Sequence, residues 1–272
     1  MTALSEALRV AYETDGFAAP VAVLDSNEAA HCRAQLEAYE RDHGPISAKT
    51  QSRKLHLLLT WFDGLVRNRH VLDAVETILG PDILCWGTSL FTKEPDDGNY
   101  VSWHQDITYW GLEPADVTTA WIALSPASVS AGCMRMMPGS HKWPILEHRD
   151  TGSKANLLTR GQEIAEQLDE DAAVNLVLAP GEMSLHHAGT VHASSPNQST
   201  DRRIGIAMRY MAPHVRPIAG TESALLVRGS DKFGHFEPET PPAADMDPAA
   251  IAEHDRVNAL RQQVLYRDVA NS

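Results

Sequence analysis

Arg203-Ile-Gly-Ile-Ala-Met-Arg-Tyr-Met211 decides the fold class, because Ile204, Ile206, Met208 and Tyr210 alternate with Arg203, Gly205, Ala207 and Arg209. A period of two belongs to a strand. Large apolar groups on one side, with glycine and alanine on the other, predict a sheet whose second face leaves room for a ligand beside a cation. The texture continues upstream. From Asp82 to Met211, short stretches rich in Val, Ile, Thr, Trp and Tyr are separated by turn clusters such as Glu94 to Gly98, Pro138-Gly-Ser140 and Ala179-Pro-Gly181. Strands are expected at 83–93, 101–108, 117–125, 132–137, 174–178, 182–187, 190–195 and 203–211, with a polar helical insertion around 161–172. Short strands of this number with helices outside predict a mainly β protein built on a jelly-roll, cupin-like barrel.

The flanks read differently. Leu4, Leu8 and Tyr12 fall at helical spacing, as do Ala29, Cys32, Leu36 and Tyr39 behind Ser26 as a helix cap. Val71, Leu72, Val75, Ile78 and Leu79 form a third helix, stopped by Gly80-Pro81. Near the other end, Asp247-Pro248 opens a helix with Ile251, Val257, Leu260 and Val264 on one face. The expected organisation is one domain over 1–272: helical support in 1–81, barrel core in 82–212 and a cover in 213–272. With 272 residues, 43% of them hydrophobic, the chain can bury a sizeable core, which excludes a disordered or fibrous protein. A formal net charge of −13 repels polyphosphates and anionic lipid, so neither nucleic acid nor a membrane surface is an expected partner. No run approaches the roughly 20 apolar residues of a membrane helix. Glu6, Arg9, Glu13 and Asp15 interrupt the start, which argues against a secretory signal. Cys32, Cys85 and Cys133, an odd count without a CxxC pair, fit a reducing cytoplasm.

Thirteen histidines make a single one uninformative, so placement decides. In Ser102-Trp-His-Gln-Asp106, His104 and Asp106 stand two apart on an expected strand, and alternation turns both to one face. His192, 88 residues after His104, offers a third donor from another strand of the same barrel. Two imidazoles and one carboxylate leave coordination positions open on a six-coordinate metal, the arrangement of non-haem Fe(II) oxygenases. Eleven residues further on, Arg203 faces the same cavity as Gly205 and Ala207, and a guanidinium in a cavity asks for a carboxylate.

With these residues the chain resembles the phytanoyl-CoA dioxygenase family of Fe(II)/2-oxoglutarate oxygenases. The resemblance runs through Asp15-Gly-Phe17, Leu79-Gly-Pro-Asp82, Trp103-His-Gln-Asp106, Ala131-Gly-Cys-Met-Arg-Met-Met-Pro-Gly-Ser-His141 and His192-x-Ser-x-x-Asn197-x-Ser199-x-x-x-Arg203. It implies a double-stranded β-helix, with His104, Asp106 and His192 as iron ligands and Arg203 on the distal carboxylate of 2-oxoglutarate. It also implies that Ser194, Trp121, Ser89 and Lys54 touch this cosubstrate, with O2 as the second one, and that Gln105 faces away from the metal. Halogenating relatives replace the carboxylate at the position of Asp106 with a small residue, so its presence implies hydroxylation of a small organic substrate, or another oxidation such as desaturation, rather than halogenation.

Other positions are open to two readings. Only one of His186 and His187 can face the lumen, and His187 is the one taken as a neighbour of the metal. Arg135, Arg209 and Trp110 are candidate substrate contacts, the arginines because a charge on a barrel strand needs a partner. Two further classes compete with an oxygenase: a non-redox isomerase or hydrolase on a cupin-like barrel, using its metal as a Lewis acid, and a silent binding protein. The loops expected to define the substrate, 40–65, 108–116, 143–165 and 213–240, carry no readable signature, and the oligomeric state is equally unreadable.

Overall fold

Both hydrogen-bonding edges of Arg203–Met211 are taken, one by Ile83–Lys93 and the other by Val117–Ala123, which puts this strand in the middle of a sheet. The computed structural model describes residues 3–46 and 53–265, so residues 47–52 of the loop expected at 40–65 fall outside it, as do the side chains of Leu4 and Val264. The helices are α1 (Ala3–Asp15), α2 (Ser26–His43), α3 (Thr60–Val66), α4 (Arg69–Leu79) and α5 (Pro248–Leu265). The strands are β1 (Phe17–Ala22), β2 (Ile83–Lys93), β3 (Val101–His104), β4 (Leu112–Glu113), β5 (Val117–Ala123), β6 (Met134–Met136), β7 (His148–Asp150) and β8 (Gln162–Ile164). They continue with β9 (Val174–Leu176), β10 (Glu182–His187), β11 (His192–Ser194), β12 (Arg203–Met211), β13 (Arg216–Pro217), β14 (Ser223–Arg228) and β15 (Glu237–Pro238). The main sheet has the order β1-β10-β5-β12-β2-β14-β15 and the smaller one β3-β11-β6-β9. Together they form the jelly-roll barrel that the pattern predicts.

The two faces of the main sheet are covered by different partners. Ile204, Ile206, Met208 and Tyr210 pack with Ile122, Met183 and Leu185 against Leu36, Phe62, Val71 and Val75 of the helices. On the other face, Trp121 and Ala207 meet Met134, Met136 and Leu176 of the smaller sheet. Burying each large apolar side chain of β12 contributes about 1.5–3 kcal/mol. A one-residue slip would turn all of them into the lumen, so the register is strongly held. Among the described residues, no helix is long and apolar enough to cross a membrane.

Several expectations need correction. The strand placed at 101–108 ends at His104, and Asp106–Tyr109 is a 3-10 turn. The helix cap is Asp25 rather than Ser26; its carboxylate accepts from the backbone N–H of Asn27 and Glu28, both at 2.8 Å. Within the helical first part, Phe17–Ala22 joins the sheet edge, where Pro20 is tolerated because an edge strand leaves one row of N–H groups unpaired. The insertion expected to be helical at 161–172 instead opens with a strand, β8, paired with β7, where Arg149 stands opposite Glu163 and their side chains pair at 2.8 Å, and is helical only in the 3-10 turn Glu170–Ala172. A cross-strand ion pair suits these polar residues better than a helix with no apolar stripe. In the stretch after Met211, β14 extends the main sheet beside β2.

A buried polar cluster ties the segment before α3 to the segment before α5. The Lys54 ammonium pairs with Glu239 and donates to the Ser223 carbonyl at 3.1 Å, while His56 stands 3.2 Å from the other Glu239 oxygen. Burial would push the Glu239 carboxyl up, but Lys54 and then His56 outweigh it and hold it at about 2. A carboxyl lowered from 4.5 in this way adds stability that is complete above 4.5 and is lost as pH falls towards 2. Glu239→Gln should therefore cost about 3 kcal/mol at neutral pH by leaving Lys54 without its counter-charge. In urea denaturation the gap to the wild type should narrow as the pH is lowered below 4.5. A gap independent of pH would mean that Glu239 is not ionised in the fold.

Candidate metal centre

β3 and β11 are neighbours in the smaller sheet, and their register sets His104 directly opposite His192. The ring centroids are 4.1 Å apart. After His104 the chain is still extended at Gln105, then tightens into the 3-10 turn that begins at Asp106 and returns the carboxylate to within 3.4 Å of His104 Nε2. One donor atom from each of His104, Asp106 and His192 lies within 4.8 Å of the others. Gln105 does face away. Its amide donates to the Gly189 carbonyl at 3.1 Å and accepts from the Leu146 N–H at 2.9 Å, pinning the turn to two loops.

Both histidines are oriented in the same way. Nδ1 of His104 lies 2.9 Å from the Ser102 carbonyl, and Nδ1 of His192 lies 2.9 Å from the Thr190 carbonyl. A carbonyl only accepts, so each Nδ1 donates to it and Nε2 of each ring is the atom left to meet a metal. Burial, followed by the charge of His104, pushes His192 down to about 4, so its ring is neutral at ordinary pH. For Asp106, burial alone would favour the neutral acid, but His104, His192 and Arg209 outweigh it and keep the carboxylate ionised. His104 Nε2 and Asp106 Oδ1 stand 3.4 Å apart, close enough for both to be ligands of one cation. Two imidazoles and a carboxylate fit a first-row divalent metal.

Two cavities meet at this cluster, sharing His104, Asp106, Phe91, Leu158 and Arg209. The inner one, about 440 Å³, runs past Thr119, Trp121, His186 and Ser194 to Arg203. The Arg203 guanidinium is buried, donates to the Gly132 carbonyl at 3.1 Å and packs 5.2 Å from the centre of the Trp121 ring. Burial pushes it down to about 10. Among the described residues no carboxylate pairs with it, and its Nε lacks a hydrogen-bond partner. The space beside Gly205 belongs to Trp121 rather than to a ligand: a Cβ there would lie 1.8 Å from the indole. The outer cavity, about 930 Å³ up to its open mouth, is walled by Trp86, Trp110, Tyr109, Ser89 and Lys54.

The other expected site residues divide between these places. Ser194 and Trp121 line the inner cavity. Ser89 lies in the outer one and accepts from Arg209 at 2.9 Å. Lys54 also lines the outer wall, with its ammonium engaged by Glu239 and Ser223. Trp110 leans on Trp86 at 5.2 Å and carries the Arg209 guanidinium at 5.3 Å. Arg135 does not belong with them: it points out of the smaller sheet, bonds Glu170 at 2.7 Å and covers Trp103. His186, not His187, faces the lumen, its ring 5.1 Å from that of His192. The signal was available, since His187 shares its side of β10 with the apolar Met183 and Leu185, which pack against the helices. Sequence reasoning also passed over Lys93, which is fully buried beside Ser194.

The profile described as phytanoyl-CoA dioxygenase (PhyH) matches residues 12–205. A protein from Stutzerimonas stutzeri named probable alpha-ketoglutarate-dependent hypophosphite dioxygenase is 34% identical over 61% of this chain and 58% of its own length. The peroxisomal phytanoyl-CoA dioxygenase of Homo sapiens is 29% identical over 56% of this chain and 46% of that protein. The chain thus spans about half the length of the curated relatives it matches. Among solved structures, apo ThoJ, described as a non-heme monooxygenase, is 38% identical with a TM-score of 0.85, over 97% of this chain and 100% of that one.

The contact between Gly205 and Trp121 supports Arg203, so Gly205→Ala should force the indole out from beneath the guanidinium. Overpacking of this kind costs roughly 1–3 kcal/mol. The variant should show a lower denaturation midpoint, and its tryptophan fluorescence should shift. Wild-type values for both would mean that Trp121 does not occupy this gap.

Proposed function

The chain belongs to the phytanoyl-CoA dioxygenase family, and from this premise we propose that it is an Fe(II)/2-oxoglutarate-dependent oxygenase that hydroxylates a small organic molecule. One observation carries the reading: a buried cluster of two histidines and a carboxylate shares a cavity with a buried guanidinium that has no carboxylate partner among the described residues. A Lewis-acid isomerase or hydrolase has use for the first feature but not for the second.

In this reading His104, Asp106 and His192 hold the iron. With 2-oxoglutarate and O2, the bound ion supplies the oxidant for a C–H bond, one oxygen atom going to the substrate and the other leaving in succinate as CO2 is released. The rest falls to the protein. Arg203 binds the distal carboxylate of the cosubstrate, and Trp121 holds the guanidinium in place. Ser194 adds a hydroxyl at the same end, while Ser89 and Lys54 stand on the outer side. Phe91 and Leu158, common to both cavities, shield the meeting point from water.

The substrate belongs in the outer cavity, against Trp110 and near Arg209. Walls of Trp86, Tyr109, Trp110, Leu157 and Leu158 suit an organic molecule far better than a small inorganic oxyanion. Cys32, Cys85 and Cys133 are free thiols, in keeping with a cytoplasmic enzyme.

Purified protein supplied with Fe(II), 2-oxoglutarate and O2 should release succinate, and Asp106→Ala or His192→Ala should abolish the release. Arg203→Ala should raise the 2-oxoglutarate concentration required by about tenfold or more, as expected for a lost charged hydrogen bond. Undiminished succinate release in Asp106→Ala would overturn the ligand assignment.

A further inference from the structure

Lys93 has no exposed surface and ends β2 directly across the strand pair from Arg203. Two neighbouring cations in a core repel each other strongly. Among the described residues no carboxylate forms an ion pair with either. The Lys93 amine instead contacts the Ser194 carbonyl at 3.2 Å, the Ser195 carbonyl at 2.5 Å and the Ser194 hydroxyl at 2.6 Å. The two carbonyls only accept, so two N–H groups are committed to them. The third contact has two possible polarities. A charged ammonium donates to Ser194 Oγ and leaves the serine proton free to turn elsewhere. A neutral amine offers a lone pair, and the serine proton is spent on it.

Ser194 lines the same inner cavity as Arg203, so the charge on Lys93 sets whether that cavity presents one donor group to an anion or two. We propose that Lys93 and Ser194 are a proton-coupled second half of the anion anchor. When the distal carboxylate of a 2-oxo dicarboxylic acid settles on Arg203, Lys93 takes one proton from solvent and Ser194 turns its hydroxyl hydrogen to that carboxylate. This inference rests on the oxygenase reading above and makes Lys93 a positioning residue, acting through Ser194.

The electrostatic surroundings agree. Burial, followed by the charge of Arg203, pushes Lys93 down to about 6. The other titratable groups facing it are Cys133, ahead of β6, and Asp97, in the turn after β2. Asp97 is exposed, and its carboxylate accepts from the backbone N–H of Glu94 and Asn99 at 2.8 Å. Without an anion, Lys93 is therefore neutral above pH 6, and an arriving negative charge raises it again. Binding then draws in a proton, so affinity is flat below about pH 6 and falls up to tenfold per pH unit above it.

Calorimetric titration of 2-oxoglutarate into the anaerobic ferrous protein at about pH 8, in buffers of different ionisation enthalpy, counts the protons directly. The wild type should take up close to one. Lys93→Arg, with its permanent charge, should bind without uptake and keep its affinity as the pH rises, and Lys93→Met should bind more weakly, again without uptake. A wild-type count near zero, or the same count in Lys93→Arg, overturns the proposal; the wild-type count decides even if neither variant folds. Arg203→Ala separates the two readings. Unchanged binding there would mean that the anchor itself is misplaced, whereas weakened binding there with wild-type proton uptake in the Lys93 variants would remove only the role of Lys93.

Discussion

The pairing of β3 with β11 in one register is the constraint on which the candidate centre rests. It sets His104 against His192, and each ring is fixed by the carbonyl two residues before it. The same local device is thus used twice, once on each strand, so the two Nε2 atoms are aimed by the backbone rather than by long side chains. Asp106 depends on the same pairing, because the turn that carries it begins where β3 stops. A slip of one residue in either strand would turn its histidine away from the lumen and from the other.

A second constraint concerns charge. The chain as a whole carries −13, yet the end of the inner cavity holds buried Arg203 and, behind Ser194, buried Lys93. Net charge therefore describes long-range steering and says little about what a local site prefers. Burial makes an uncompensated cation expensive.

Legibility followed the range of the physics involved. The barrel class and the side of β12 on which Arg203 stands were readable because alternation is a local property, whereas His192, 88 residues after His104, could be joined to it only by assuming the barrel. Asp106 was grouped with the histidines for a partly wrong reason: it reaches the cluster through a 3-10 turn, whereas continued strand alternation had been assumed. Gly205 was read as ligand space, since nothing nearby reveals that Trp121 arrives from another strand. Lys93 was hidden in a different way. Followed by Glu94-Pro-Asp-Asp-Gly98, it looks like a strand ending in solvent, and its burial is decided by Ser194 and Ser195, a hundred residues away. For Arg135 the two readings had balanced, and only the position of Glu170 settles that it points outward.

The placement of β2 has a consequence for the life of the protein before it is complete. Both of its neighbours in the main sheet, β12 and β14, are made later, and 110 residues separate Lys93 from Arg203. At ribosomal speed this leaves the almost wholly buried stretch from Ile83 to Lys93 without either flanking strand for roughly 5–20 seconds. During that interval its two open edges are a template for pairing with other nascent chains. The order of synthesis thus sets a hazard for this chain that the finished barrel does not display.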